Sequence, residues 1–299
     1  MPAIHPATRL GPVLLAAADL ERSLAFYGEV LGLQVRDRRD DLAVLTADGA
    51  APLVVLVALP GARPQPRRTT GLYHFAILLP TRRELARALA RLVQARYPLH
   101  GASDHLVSEA LYLADPDGHG IELYADRPRQ QWPTTARGVA MATAPLDLDS
   151  LLADLDAPAA AAAGSLPPQT RIGHVHLRVA DLGEAEAFYH GRLGFDVTQR
   201  DYPGALFLAA GGYHHHIGVN IWGSQGAPPP PRDALGLRAF TIVLPDAAAL
   251  AAVLRRLDPP PQEGPAGWFV RDPFGIGILV THEGATVRTD DLRTVATSP

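Results

Sequence analysis

Between Gly71 and Tyr124, apolar and polar residues alternate first with the period of a strand and then with that of a helix. GLYHFAILLP sets His74 and Ala76 on one face of a strand and Phe75 and Ile77 on the other. In ELARALARLVQA (Glu84 to Ala95) the apolar residues fall at 85, 88, 89, 92 and 93, the spacing of an amphipathic helix. EALYLADPDGHGIELY then predicts two strands joined at DPDG, with Asp117-Gly118 as the turn signal. The stretch opens and closes on strands that carry His74 and Glu122. If those strands are neighbours, an imidazole and a carboxylate face one point in space.

The same plan recurs along the chain. Residues 8–35 align without gaps to residues 170–197, and 14 of the 28 positions are identical. GLYHFAILLP matches GLRAFTIVLP (236–245), and DPDGHGIELY (115–124) matches DPFGIGILVT (272–281). The chain therefore reads as two tandem halves of two modules each, an α+β protein of four βαβββ modules. Asp19 and Asp181 stand at helix N-cap positions, and Gly32 and Gly194 at the C′ positions that stop those helices. Modules 1 and 2 span 8–127, a linker 128–168, modules 3 and 4 169–283, and a tail 284–299. Within the linker, LDLDSLLADLDA predicts a short helix and AAAAAG a spacer. The polar tail is expected to be poorly ordered.

Composition narrows the chemistry. The 299 residues are 47% hydrophobic, enough for two domain cores, and the formal net charge is −4. No basic stripe is present, so no nucleic-acid partner is expected. The absence of cysteine removes disulfides, thiolate metal sites and cysteine nucleophiles together, and the absence of lysine removes Schiff-base chemistry. MPAIHPATRLGP does not have the pattern of a signal peptide, and no apolar run reaches the length of a membrane span. The expectation is a soluble cytoplasmic protein with no membrane partner.

Helices of the form D-L-x-x-x-x-x-F-Y and terminal D-P-D-G-x-x-I-E strands, repeated in four modules, resemble the vicinal oxygen chelate superfamily. That group includes glyoxalase I, bleomycin- and fosfomycin-resistance proteins and extradiol dioxygenases. GLYHFAILLP, GASDHLVSEALYLADPDGHGIELYADRP, RIGHVHLRVADL and AGGYHHHIGVNIW look like the corresponding stretches of two-domain bacterial catechol 2,3-dioxygenases. The resemblance implies mixed sheets curled into cups, with metal ligands on the first and last strands of modules.

First-strand positions read Pro12, His74, His174 and Ala239. Last-strand positions read Glu122 in module 2, His216 or Asn220 in module 3, and Leu279 in module 4. The implied metal ligands are His74, Glu122 and His174, two imidazoles and a carboxylate as in non-haem Fe(II) oxygenases. His176, on the same face as His174, is the alternative ligand or else a wall of the cup. This set requires module 2 to pair with module 3, within one chain or across a homodimer, whereas extradiol enzymes usually use modules 3 and 4.

The resemblance further implies His216 as the acid–base residue, with His214 on its face and His215 pointing the other way. It implies Tyr112 as a hydroxyl donor to the substrate and His105 as an assisting loop residue. His5, His100, His190 and His282 read as surface or loop residues, and His119 as structural. The implied activity is ring cleavage of a catechol by O2, with Fe(II) as cofactor and Mn(II) as the alternative ion. Two other readings are a glyoxalase-type metal-dependent isomerase or lyase, and a metal-free protein that sequesters small molecules.

Overall fold

The computed structural model describes residues 3–135, 138–156, 164–285 and 287–297. Each module is a strand, a helix and three strands. Module 1 holds β1 (Arg9–Ala17), α1 (Leu20–Ala25), β2 (Gln34–Arg39), β3 (Leu42–Thr46) and β4 (Pro52–Ala58). Module 2 holds β5 (Gly71–Leu79), α2 (Arg82–Gln94), β6 (Gly101–Asp104), β7 (Ser108–Ala114) and β8 (Gly120–Asp126). After α3 (Leu148–Leu152), the short helix expected in the linker, module 3 holds β9 (Arg171–Arg178), α4 (Leu182–Glu186), β10 (Asp196–Gln199), β11 (Ala205–Ala209) and β12 (Ile217–Asn220). Module 4 holds β13 (Gly236–Leu244), α5 (Ala247–Leu254), β14 (Gln262–Gly264), β15 (Gly267–Arg271) and β16 (Gly277–His282). The AAAAAG spacer lies almost wholly outside the described residues.

The caps explain why α1 and α4 begin and end where they do. Asp19 accepts from the Arg22 N–H at 3.1 Å and Asp181 from the Glu184 N–H at 2.8 Å. Both helices widen into a π turn, and Gly32 and Gly194 then take φ of 85° and 88°, a left-handed conformation that favours glycine.

In every module the first strand runs parallel to the last, and two first strands meet antiparallel at the middle of each sheet. One sheet runs β14-β15-β16-β13-β1-β4-β3-β2 and so joins module 4 to module 1. The other runs β6-β7-β8-β5-β9-β12-β11-β10 and joins module 2 to module 3, with Ala144–Pro145 added outside β6. The module 2–3 pairing is thus made inside one chain. On one face of each sheet a continuous core takes in Tyr27, Leu85, Leu89, Tyr189 and Val253 from the helices.

The two modules of each sequence half are held together by a different contact. Tyr27, of the first F-Y pair, donates to Asp115 of the DPDG turn at 2.9 Å, and Tyr189 donates to Asp272 of the DPFG turn at 2.7 Å. Module 1 is so latched to module 2 and module 3 to module 4. In each turn one carboxylate oxygen also accepts two backbone N–H groups, from Asp117 and His119 or from Phe274 and Ile276.

The tail departs from expectation. Residues Thr289–Thr297 form a helix, α6, whose Leu292 and Val295 are buried against Leu14, Val44, Val55, Ala239 and Leu279. Leu292 and Val295 lie three apart and share one helical face. They cover the sheet face on which modules 1 and 4 carry apolar side chains, which would otherwise stand in water. Among the described residues no helix is long and apolar enough to cross a membrane.

The two latches differ in one partner. Burial raises the pKa of both aspartates, but His119 Nδ1, 2.7 Å from Asp115, overcomes this and holds that carboxyl below its usual value. Ile276 occupies the matching position beside Asp272, and burial there pushes the carboxyl up to about 6. A folded pKa above the unfolded one means the ionised group opposes folding above pH 6, by about 3 kcal/mol, and the penalty fades as pH falls toward 4. Asp272→Asn is therefore expected to raise Tm at pH 8 and to lose that advantage near pH 5. Asp115→Asn is expected to lower Tm at pH 8, because the ionised form is the favoured one there. Calorimetric Tm against pH checks both, and a pH-independent difference for Asp272→Asn would contradict the assignment.

Candidate active site

Register places the site. Across β7, β8, β5 and β9, the residues Tyr112, Glu122, Ala76 and His174 stand side by side, and one step along His74 faces His176. His74 Nε2 and His174 Nε2 each lie 3.0 Å from Glu122 Oε2. One donor atom from each of the three residues lies within 4.8 Å of the other two. All three side chains are buried, and His74 Nε2 has no hydrogen-bond partner despite its closeness to the carboxylate. Ala76 sits between Glu122 and His174 with only a methyl group, which leaves the centre of the cluster open.

This donor set suits a borderline divalent metal ion. Two imidazole nitrogens and one carboxylate oxygen match transition-metal preference, whereas calcium would need an all-oxygen cage. Among the described residues no other group of histidines and carboxylates converges in this way. Residues 9–123 and 171–280 match the sequence model of the Glyoxalase/Bleomycin resistance protein/Dioxygenase superfamily.

The chain belongs to that superfamily.

It is 50% identical over 261 residues to a catechol-2,3-dioxygenase of Bacillus subtilis (strain 168), covering 86% of this chain and 90% of the relative. It is 32% identical over 124 residues to biphenyl-2,3-diol 1,2-dioxygenase 3 of Rhodococcus globerulus, covering 40% of this chain and 63% of that protein. The crystal structure of glyoxalase I from Zea mays superposes with a TM-score of 0.55 at 18% identity, over 97% of this chain and 95% of that one, and shares the fold.

In this superfamily member His74 and Glu122 stand in the wall of a cavity of about 620 Å³, with His174 buried behind them. Burial alone would raise the Glu122 pKa, but His174 first and then His74, set against the carboxylate, hold it well below its usual value. Burial lowers the pKa of His174 against the pull of Glu122, so its imidazole stays neutral, as a ligand must be. His176 lines the cavity outside the three-residue cluster, with its ring 5.0 Å from that of His74.

Tyr124 buttresses the site from within the sheet. Its ring lies 4.9 Å from the His174 ring and its hydroxyl bonds to that of Tyr213 at 2.8 Å. A Cβ on Gly173 would fall 1.8 Å from that hydroxyl, so glycine is required there.

The triple histidine is arranged differently from expectation. Strict alternation would turn His214 and His216 to the site and His215 away. Instead β12 begins only at Ile217, and residues 210–216 form an irregular turn in which alternation does not hold. His215 lines the cavity, its ring centroid 4.2 Å from that of His174. His216 packs on Phe195 and Tyr213, accepts the Ala210 N–H at 3.2 Å, and is driven by burial to a pKa of about 3. Asp126 accepts from His214 Nε2–H at 2.9 Å, since a carboxylate only accepts. With His214 neutral, its Nδ1 accepts from His215 Nδ1–H at 2.8 Å, which leaves His215 Nε2 unprotonated.

Tyr112 and His105 both line the cavity and bond to each other. Ala142 C=O accepts from His105 Nδ1–H at 2.8 Å, and His105 Nε2 lies 2.7 Å from the Tyr112 hydroxyl oxygen. Burial and the neighbouring Glu122 carboxylate raise the Tyr112 pKa well above the usual tyrosine value, so its hydroxyl stays protonated. His100 lies exposed at the rim, and His119 is engaged by Asp115.

Ala76, two residues after His74 on the same strand face, is the one position of its cross-strand row that carries no polar group. Ala76→Leu is expected to abolish stoichiometric metal content while the far-UV spectrum stays native, at an overpacking cost of about 1–3 kcal/mol. His174→Ala should do the same by removing a donor. Elemental analysis of the purified variants tests both, and an ion retained in full by either would disprove the site.

Proposed function

We propose that the protein is an Fe(II)-dependent extradiol dioxygenase that opens the ring of a catechol beside its diol with O2, acting in the cytoplasm. The observation that carries this reading is the His74–Glu122–His174 cluster at the wall of a cavity large enough for a substituted catechol. The half-identity, over most of the chain, to a catechol-2,3-dioxygenase supports it. A bound divalent ion would supply Lewis acidity toward the diol and a one-electron redox partner for O2. Three protein ligands leave positions open for both.

The protein's own groups divide the remaining work. His215, with Nε2 unprotonated, takes a proton from the diol and returns it later in the reaction, a role suited to imidazole. It does so in place of His216, which lies away from the cavity. Tyr112 hydrogen-bonds to the second hydroxyl and is held in place by His105. His176 and Tyr73 form an apolar-faced wall that orients the ring. With one carboxylate in the cluster, nothing among the described residues supplies the second acid the glyoxalase-type reading wants.

Oxygen uptake in the presence of catechol is expected to require reconstitution with Fe(II), to yield a yellow ring-opened product, and to be weaker with Mn(II). No uptake across a panel of catechols would end the proposal. His215→Gln should lower kcat by about 10²- to 10⁴-fold, the usual worth of a general acid–base. His216→Gln should change kcat far less, and steady-state kinetics on the two variants distinguish the neighbouring histidines.

A further inference from the structure

Strand β9 lends the cavity wall two side chains, His176 and Arg178. His174, His176 and Arg178 lie on one face of the strand at two-residue intervals, and Arg178 lines the same cavity. A β-bulge in β5 sets Tyr73 and His74 together against His176, so Tyr73 turns to the cavity instead of the core. The Arg178 guanidinium lies 5.6 Å from the centroid of the Tyr73 ring. Tyr73, His176 and Trp222 meet one another with ring centroids 5.2–5.6 Å apart. An aromatic wall therefore runs from His74 outward to one arginine.

That arginine is half-buried, and among the described residues it has no hydrogen-bond acceptor and no carboxylate partner. Burial pushes its pKa down from the usual arginine value, opposed only by Tyr73. Among the other half-buried arginines, Arg82 pairs with Glu109 and Asp154 and Arg127 with Asp104 and Glu109, while Arg91 and Arg238 donate to backbone carbonyls. Among the described residues the only carboxylate in the cavity wall, Glu122, is already engaged by His74 and His174. A half-buried guanidinium without a protein acceptor is only partly solvated, and a planar carboxylate satisfies it through two parallel hydrogen bonds.

Resting on the catechol reading of the site, we infer that the substrate carries an anionic side chain, and that Arg178 binds this group while the diol lies at the His74–Glu122–His174 cluster. Four residues of extended strand separate the Cα atoms of His174 and Arg178 by about 13 Å. The arginine side chain folds back over Tyr73 and spans part of that distance. A carboxylate one or two carbons from the ring fits what remains.

The test uses the metal-reconstituted protein without oxygen, with calorimetric binding of 4-(carboxymethyl)catechol and of its methyl ester. Wild type should bind the acid at least tenfold more tightly than the ester. Arg178→Gln should bring that ratio close to one. Arg178→Glu should reverse the preference, favouring 4-(aminomethyl)catechol over the acid. Equal binding of acid and ester by wild type would overturn the role of Arg178 and leave the catechol reading standing. Failure to bind any of the three compounds would overturn both. A preference for the acid that survives in Arg178→Gln would place the anion elsewhere and overturn the assignment.

Discussion

Where β5 runs antiparallel to β9, Ala76 faces His174 and His74 faces His176, and β8 runs parallel on the other side with Glu122 beside Ala76. This register brings a carboxylate from one strand and imidazoles from two others around one point. It is demanding because side chains alternate with a period of two. A slip of one residue between β5 and β9 would send His174 into the helix-covered core and bring Val175 to the cavity. The other face of the same strands guards against that slip. Phe75, Ile77, Ile172 and Val175 are fully or almost fully buried there, so the apolar core and the polar site hold one another in register.

A second constraint crosses the first. Backbone pairing joins module 1 to module 4 and module 2 to module 3, while the Tyr27–Asp115 and Tyr189–Asp272 hydrogen bonds join module 1 to module 2 and module 3 to module 4. Each module is thereby tied to two others, and the ring of contacts closes within one chain. The F-Y and D-P motifs, far apart in each half, are two ends of the same buried interaction. Their repetition in the sequence reflects that shared task more than any chemistry at the site.

The two sheets show what one architecture does with and without polar residues on its inner face. Modules 2 and 3 carry histidines and Glu122 there and leave a cavity. Modules 1 and 4 carry Leu14, Val44, Ala239 and Leu279 on the equivalent face, and α6 covers them with Leu292 and Val295. The polar appearance of the tail hid this, because two apolar residues are enough to seat a short helix once an apolar sheet face is waiting for it.

The sequence by itself determined the four-module repeat, the caps of the helices, and the strand faces on which His74, Glu122, His174 and Tyr112 lie. All of these are local: alternation within a regular strand reports which side chains share a face, and caps act over three or four residues. Even Arg178 could have been read this way, at the fourth position after His174. Only the tertiary structure decided which modules share a sheet, since strand pairing joins residues a hundred apart and either partner offers the same apolar pattern. Only it decided which histidine of the run 214–216 meets the cavity, because that segment leaves the strand conformation and its period goes with it. Tyr73 and α6 belong to the same class, the one turned by a bulge and the other seated by a surface assembled from distant parts of the chain.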